Sequence, residues 1–316
     1  MDARTGLKPY DIEVGYYADA TVDLVAVYLE RFERAATCRA YGRDLADFFG
    51  LERVTLEDVR KATPLHVNEY IAHLQENDYK SSTIKRRVAA IRGFFEWLVA
   101  LDVISKNPSH RQLLRRVRSS GSRDKKLIFL TSQQAERLVE AADGSGEAAA
   151  RDRALLLTLL HCVLRRSEAA AMNVDHIRPL GHYWVLDLPN TKSGTDQYVK
   201  IPAHVVERIE EMKTSYGIED GPLWRSVSNN SRGNRLSARS IYGIVDKVAR
   251  RAGLPAEIGA HSLRHTGCTL AIEAGASIHQ VQVHARHKNI ETTMMYVHQR
   301  DRLRDSAADY IHLVKD

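Results

Sequence analysis

The stretch Tyr183-Trp-Val-Leu-Asp-Leu-Pro-Asn-Thr-Lys-Ser-Gly-Thr-Asp-Gln-Tyr-Val-Lys-Ile201 decides the fold class. Tyr183 to Leu188 and Gln197 to Ile201 are rich in aromatic and β-branched residues and predict two strands. The polar run from Pro189 to Asp196 between them predicts a long hairpin turn. Everything after Pro202 is patterned as helix, with breaks near Gly217, Asn229 to Asn234, Gly253 and Gly275. Upstream, Arg151 to Cys162 is strongly apolar and predicts a buried helix, and Thr131-Ser-Gln-Gln134 is a capping-box pattern ahead of another. One hairpin set among helices predicts a mainly α domain with a small antiparallel β-sheet.

Nearer the N-terminus the sequence carries no strand signal. Residues 21 to 32 have the apolar spacing of an amphipathic helix. A second helix begins near Thr37, with Tyr41, Leu45 and Phe48 on one face. A third covers Pro64 to Gln75, where Pro64 suits the first turn. The fourth, Ser82 to Val99, buries Ile84, Val88, Ile91, Phe95 and Leu98. Pro108 and the run Ser119-Ser-Gly-Ser122 mark a boundary. The chain therefore divides into a leader (1–18), an all-helical domain (19–108), a basic linker (109–127) and a larger domain (128–316).

A chain of 316 residues has room for two cores. With 44% hydrophobic and 27% charged residues, its composition is that of a soluble globular protein. No apolar run approaches the roughly 18–20 residues of a bilayer span. The first twenty residues carry acids and no apolar core, which argues against a secretory signal. Cys38, Cys162 and Cys268 are odd in number, far apart and within predicted helices. They point to a reducing compartment and to neither a disulfide framework nor a thiolate metal site. A net charge of +6 and a pI near 9.1 fit a polyanionic partner. The segment Lys106 to Lys126 holds eight Lys or Arg against one acid, as phosphate contacts or a solvated linker would.

Four short segments of the larger domain combine residues suited to phosphate chemistry. They are Leu164-Arg165-Arg166-Ser167-Glu168, Asn190-Thr191-Lys192-Ser193-Gly194, His261-Ser-Leu-Arg264-His-Thr266, and His287 placed nine residues before Tyr296. In order and spacing they resemble the tyrosine recombinase family, particularly its bacterial Xer-type and transposon or integron-like branches. Thr37-x-x-x-Tyr41-x-x-Asp44-Leu45-x-x-Phe48 and Ser82-Thr-Ile-Lys-Arg-Arg-Val-Ala-Ala-Ile-Arg-Gly-Phe-Phe95 are similar to that family's DNA-gripping helical domain. The resemblance runs from about residue 19 to Tyr296 and implies a two-domain DNA clamp.

It also implies the roles. Tyr296 is the nucleophile, a phenol that is mostly neutral at pH 7 and needs help to attack. Arg165 and Arg264 suit the negative charge on the non-bridging oxygens of the attacked phosphate, since each is permanently cationic and can bind two oxygens. Lys192 is the general acid for the 5′-oxygen leaving group. His261 is the base or hydrogen-bond partner of the phenol, His287 donates to a phosphate oxygen, and Glu168 orients a neighbouring basic group. Neither a metal nor a cofactor is required, because the phosphotyrosine ester conserves the bond energy. Lys85, Arg86, Arg87 and Arg92 on the fourth helix, with Arg115 and Arg116 in the linker, are the expected DNA contacts. The implied partners are double-stranded DNA with inverted-repeat core sites and three further copies of the chain. The four would form a homotetramer on two sites, a dimer per site, with an accessory DNA-binding protein as a further candidate. No membrane partner is expected, and the implied location is the cytoplasm, at the bacterial nucleoid.

Other readings stand beside this one. His261 and His265 are four residues apart, a metal-ligand spacing, but Arg264 between them opposes a cation and no thiol or carboxylate completes a shell. A type IB-like topoisomerase would share the site and relax DNA without exchanging partners. A silent DNA-binding or DNA-bending protein would bind without forming a covalent product. One departure stands out. Ala285-Arg286-His287 replaces the family's usual Leu-Gly-His, and puts bulk and charge beside the site. After Tyr296, the apolar positions Leu303, Ala307, Tyr310, Ile311 and Val314 form a short amphipathic stripe. The resemblance implies that this tail docks on a neighbouring subunit; folding back onto its own chain is the alternative.

Overall fold

The computed structural model describes residues 22–117, 128–188, 197–255 and 258–304. It separates into two compact units, Met1–Lys125 and Lys126–Asp316. The described part of the first is all helix: α1 (Leu24–Glu30), α2 (Ala35–Phe49), α3 (Leu56–Lys61), α4 (Pro64–Glu76) and α5 (Ser81–Ala100). Helix α5 buries Ile84, Val88, Ile91, Phe94, Phe95 and Leu98 in the three-and-four spacing of one helical face. Phe94 meets Tyr28 of α1 edge to face at 5.4 Å. Gly93 of α5 permits this approach, because a Cβ there would stand 2.9 Å from the Tyr28 hydroxyl. Helix α3 was not expected from the apolar periodicity. It is short, and a capping box between Thr55 and Asp58 starts it.

The second unit is built around α7 (Glu147–His161), preceded by α6 (Ser132–Glu140) and followed by α8 (Arg166–Ala171). Ala154, Leu155, Leu156 and Leu159 of α7 are fully buried. Thr131 and Gln134 close the expected capping box at the start of α6. Three antiparallel strands follow in the order β1 (Ile177–Leu180), β2 (Tyr183–Leu188) and β3 (Gln197–Ile201). Strands β2 and β3 have the expected bounds, with Trp184 paired to Ile201 and Leu188 to Gln197. On β3, Val199 and Ile201 point into the core while Tyr198 and Lys200 face out. The long turn between these strands, with Lys192, lies outside the described residues. Among the described residues five α-helices follow: α9 (Ala203–Tyr216), α10 (Ala238–Arg251), α11 (Ala260–Glu273), α12 (Ile278–Ala285) and α13 (Glu291–Arg304).

The packing of α11 on α7 positions the site. At their closest approach, a Cβ on Gly267 would lie 2.2 Å from the Leu160 carbonyl oxygen and 2.6 Å from Val163 Cγ1. Only a glycine lets the two backbones come so near. Just beyond α7, Val163 takes a left-handed φ of 43°, a costly conformation for a β-branched residue. Its side chain is buried and joins a small cluster with Cys268, Ile272, Val281, Ala285 and Tyr296. Among the described residues no helix is long and apolar enough to cross a membrane.

Candidate active site

The last carbonyls of a helix have no intrahelical partner and sit at the negative end of its dipole. At the end of α7 these acceptors are taken by side chains from α11 and α12. His284 Nε2 lies 2.7 Å from the His161 carbonyl oxygen. Arg286 donates to the Cys162 carbonyl at 3.5 Å and to the Val163 carbonyl at 3.2 Å. Arg264, 2% exposed, donates to the carbonyls of Val163 and Ala285. Two residues on, Arg165 caps α8. The Leu-Arg-x-x-Glu spacing is the N-cap-to-N3 spacing of a capping box. The Arg165 backbone N–H donates to Glu168 Oε2 at 2.7 Å, and its Nη1 to Oε1 at 2.5 Å.

Helix α11 presents His261, Arg264, His265 and Cys268 within two turns. His261 is exposed on the first turn, its ring 4.2 Å from that of His265. The partner of the Tyr296 hydroxyl is not His261, as expected, but His265, whose Nδ1 lies 2.6 Å away. The reason is helical register: one further turn carries the imidazole inward to the face that meets α13. Cys268 is buried in the same small cluster as Tyr296. Tyr296 itself is 2% exposed, with the His287 ring stacked on it at 6.1 Å and 13°. Nδ1 of His287 lies 2.9 Å from the Thr293 hydroxyl.

Burial, then the neighbouring His261 and Arg264, hold His265 at about 4. Burial with Arg264 and Arg165 does the same to His287. Both imidazoles are therefore neutral at pH 7, each with one unprotonated ring nitrogen that can accept a hydrogen bond. Burial pushes the Tyr296 phenol up, with the Cys268 thiol adding to it and Arg264 opposing. Arg264 comes down to about 10 through burial and the adjacent Arg286 and Arg165, and remains charged.

Four separate segments thus bring Arg165, Glu168, His261, Arg264, Arg286, His287 and Tyr296 together. Residues 128–302 match the Phage integrase family, and residues 26–101 match the Phage integrase N-terminal SAM-like domain. The chain is 31% identical over 294 residues to the tyrosine recombinase XerC of Pelotomaculum thermopropionicum, covering 88% of this chain and 92% of that one. The chain belongs to the phage integrase family. It is a site-specific tyrosine recombinase, an enzyme that breaks and rejoins DNA strands.

Solved structures of the same fold include the XerH recombinase bound to a palindromic difH substrate in a post-cleavage complex. The TM-score is 0.67 at 19% identity, over 87% of this recombinase and 80% of that chain. The Tn1549 transposon integrase in complex with transposon right end DNA aligns with a TM-score of 0.64 at 18% identity, over 90% and 98%.

The expected DNA contacts lie in the first unit and differ in how they are held. Lys85, Arg115 and Arg116 are exposed. Arg86 pairs with the buried Asp44, its own side chain 47% exposed. Arg87 is 15% exposed and fastens α5 to its neighbours through Asp47, the Tyr70 hydroxyl and the Tyr79 ring. Arg92 Nε donates to the Ser109 carbonyl at 3.2 Å. Among the described residues no group of three or more His, Cys, Asp or Glu side chains could hold a metal ion.

Sequence reasoning did not find two members of the site. His265 could have been found from its spacing. Four residues after His261, it shares that residue's face one turn deeper. The sequence places Arg286 beside the site but not its contacts, because sequence does not say which way an arginine turns.

Proposed function

We propose that Tyr296 is the nucleophile of strand cleavage and joins the DNA 3′-phosphate through its hydroxyl. Arg165 and Arg264 bind the non-bridging oxygens, and His287 donates to one of them. Lys192 protonates the departing 5′-oxygen. The neutral His265 and His261 form the route by which the phenol proton leaves. A 5′-hydroxyl of the partner duplex then attacks the phosphotyrosine and restores a phosphodiester. Repetition on the second pair of strands passes through a four-way junction. The observation that carries this reading is the Tyr296 hydroxyl, 2.6 Å from an imidazole that is neutral at pH 7.

The substrate is double-stranded DNA with inverted-repeat core sites, gripped by both units in a clamp. Four copies act on two sites. An apolar groove of about 580 Å³ between α6, α7 and α11 supports this, with Ala135, Val139, Leu157 and Leu270 in its walls and Glu136 and Glu140 among its lining residues. It fits the apolar stripe of a neighbouring copy's tail, whose Arg302 and Arg304 complement the acids. The tail from 305 onward lies outside the described residues. The setting is the bacterial cytoplasm, at the nucleoid, and the biological task is integration or excision of a mobile element, cointegrate resolution or chromosome dimer resolution, with or without an accessory DNA-binding protein.

The test is covalent trapping on nicked duplexes tiled from DNA flanking the gene, in EDTA, beside Tyr296→Phe. The expected result is an SDS-resistant, protease-sensitive band absent from the variant, and a four-chain complex on a native gel. Binding without any covalent band would overturn the reading in favour of a silent DNA-binding protein. A covalent band with relaxation of supercoils and no four-chain complex would replace it with a topoisomerase.

A further inference from the structure

We propose that Arg286 is a positioning residue for Arg165, bracing its guanidinium through Glu168 and through its own main-chain carbonyl. This rests on the reading of Arg165 as a phosphate-binding group. Arg286 ends α12 in the left-handed conformation, at φ 56° and ψ 45°. Glycine is unstrained there, and a long side chain persists only where its surroundings hold it. What holds it is on the inside of the site. The side chain is 5% exposed and reaches Glu168 Oε2 at 3.0 Å, besides the carbonyls of His284, Cys162 and Val163.

The contacts of Arg165 lead back to the same residue. Arg286 fixes the Glu168 oxygen that takes the Arg165 backbone N–H, which leaves Oε1 to receive Arg165 Nη1. The other end of the fork, Nη2, donates to the Arg286 carbonyl at 3.3 Å. Both hydrogen bonds of the Arg165 guanidinium found among the described residues therefore end on Glu168 or Arg286. Arg165 needs such bracing. Its side chain is 46% exposed, and a long arginine with so little packing would sample many rotamers. Burial alone would raise the Glu168 carboxyl, but Arg286 and Arg165 together hold it below its usual value, so it stays charged. At 5% exposure Arg286 cannot itself be a DNA contact in this conformation.

The experiment compares Arg286→Met, Arg286→Lys and Arg286→Gly in the full chain, with Arg165→Lys as the control. It reads single-turnover cleavage of the nicked duplex, duplex affinity by mobility shift, and thermal melting. Arg286→Gly guards against misfolding, since it removes the left-handed strain. Met and Gly should lower the cleavage rate on the order of tenfold to a hundredfold with affinity unchanged, as loss of a positioning group does. Lys, which keeps a cation for Glu168, should recover much of the rate. In a Glu168→Gln background, Arg286→Met should cost little more, because both act on one guanidinium. The inference falls if cleavage by Met and Gly matches the wild type, or if the rate drops only as far as affinity or melting does. It falls equally if Lys is no better than Met, or if the Glu168 and Arg286 losses multiply. If Arg165→Lys also cleaves normally, the failure belongs to the reading of Arg165 and not to Arg286 alone.

Discussion

Replacing Gly267 by alanine tests the helix contact on which the site depends. The added Cβ would stand 2.2 Å from the Leu160 carbonyl oxygen, 2.6 Å from Val163 Cγ1 and 3.3 Å from the Leu160 carbonyl carbon. A carbon and a carbonyl oxygen rest at about 3.3–3.6 Å, so α11 must retreat from α7 by roughly 1 Å. The obstacle is backbone, which cannot rotate aside as a side-chain tip would. Overpacking of this kind costs about 1–3 kcal/mol, and this site belongs at the upper end. Alanine recovers about 1 kcal/mol of helix propensity, which leaves a net loss of about 2 kcal/mol. For a domain of this size the melting temperature should fall by about 4–8 °C. Catalysis should fall further than stability. Arg264 and His265 lie on the same helix within one turn, and a displacement of about 1 Å can cost on the order of a hundredfold in rate. Thermal melting and covalent trapping, measured on the same preparation, check both parts. A Gly267→Ala protein that melts and cleaves like the wild type would refute the claim that this contact sets the site.

Two further expectations concern charge. His265 and His287 stand at about 4 in the folded chain, against about 6.5 when unfolded. The unfolded chain binds more protons between these values, so stability is full above about pH 6.5 and declines as pH falls toward 4. Melting curves from about pH 7 to pH 5 should show this decline, with a shallower slope in His265→Asn; parallel slopes would exclude His265 as a source. In the helical domain, Lys85→Ala should weaken binding to any duplex and reduce the salt slope by about one without lowering the melting temperature. Arg87→Ala should do the reverse, since its hydrogen bonds are internal. Equal loss of affinity in both variants would contradict that division.

Much of the architecture was legible because the determining signals are local. The strands at 183–188 and 197–201 and the start of α4 at Pro64 follow from β-branched content and proline geometry. So does α6, from the Thr131 and Gln134 capping box. Strand β1 was missed because it spans four residues, includes Pro179 and is mostly exposed, so it carries neither alternation nor apolar content. The site was legible as a set of segments and illegible as a set of contacts. Helical register decides between His261 and His265 as neighbour of Tyr296, and it depends on where α11 begins. The left-handed turn at Val163 has no sequence signature, since valine is among the residues least suited to it.

The two arginines of the site are fixed by different kinds of partner. Arg165 is tied to a carboxylate, which cancels much of its field. Arg264 is tied to two peptide carbonyls, which orient the guanidinium but carry no net charge to neutralise it. With Arg286 included, three cations share one carboxylate, two of them buried and Arg165 half-exposed. An excess of positive potential is thus built into this part of the chain before any DNA is bound. On the proposed reading, a phosphodiester reaching Arg165 and Arg264 meets a field already oriented for it.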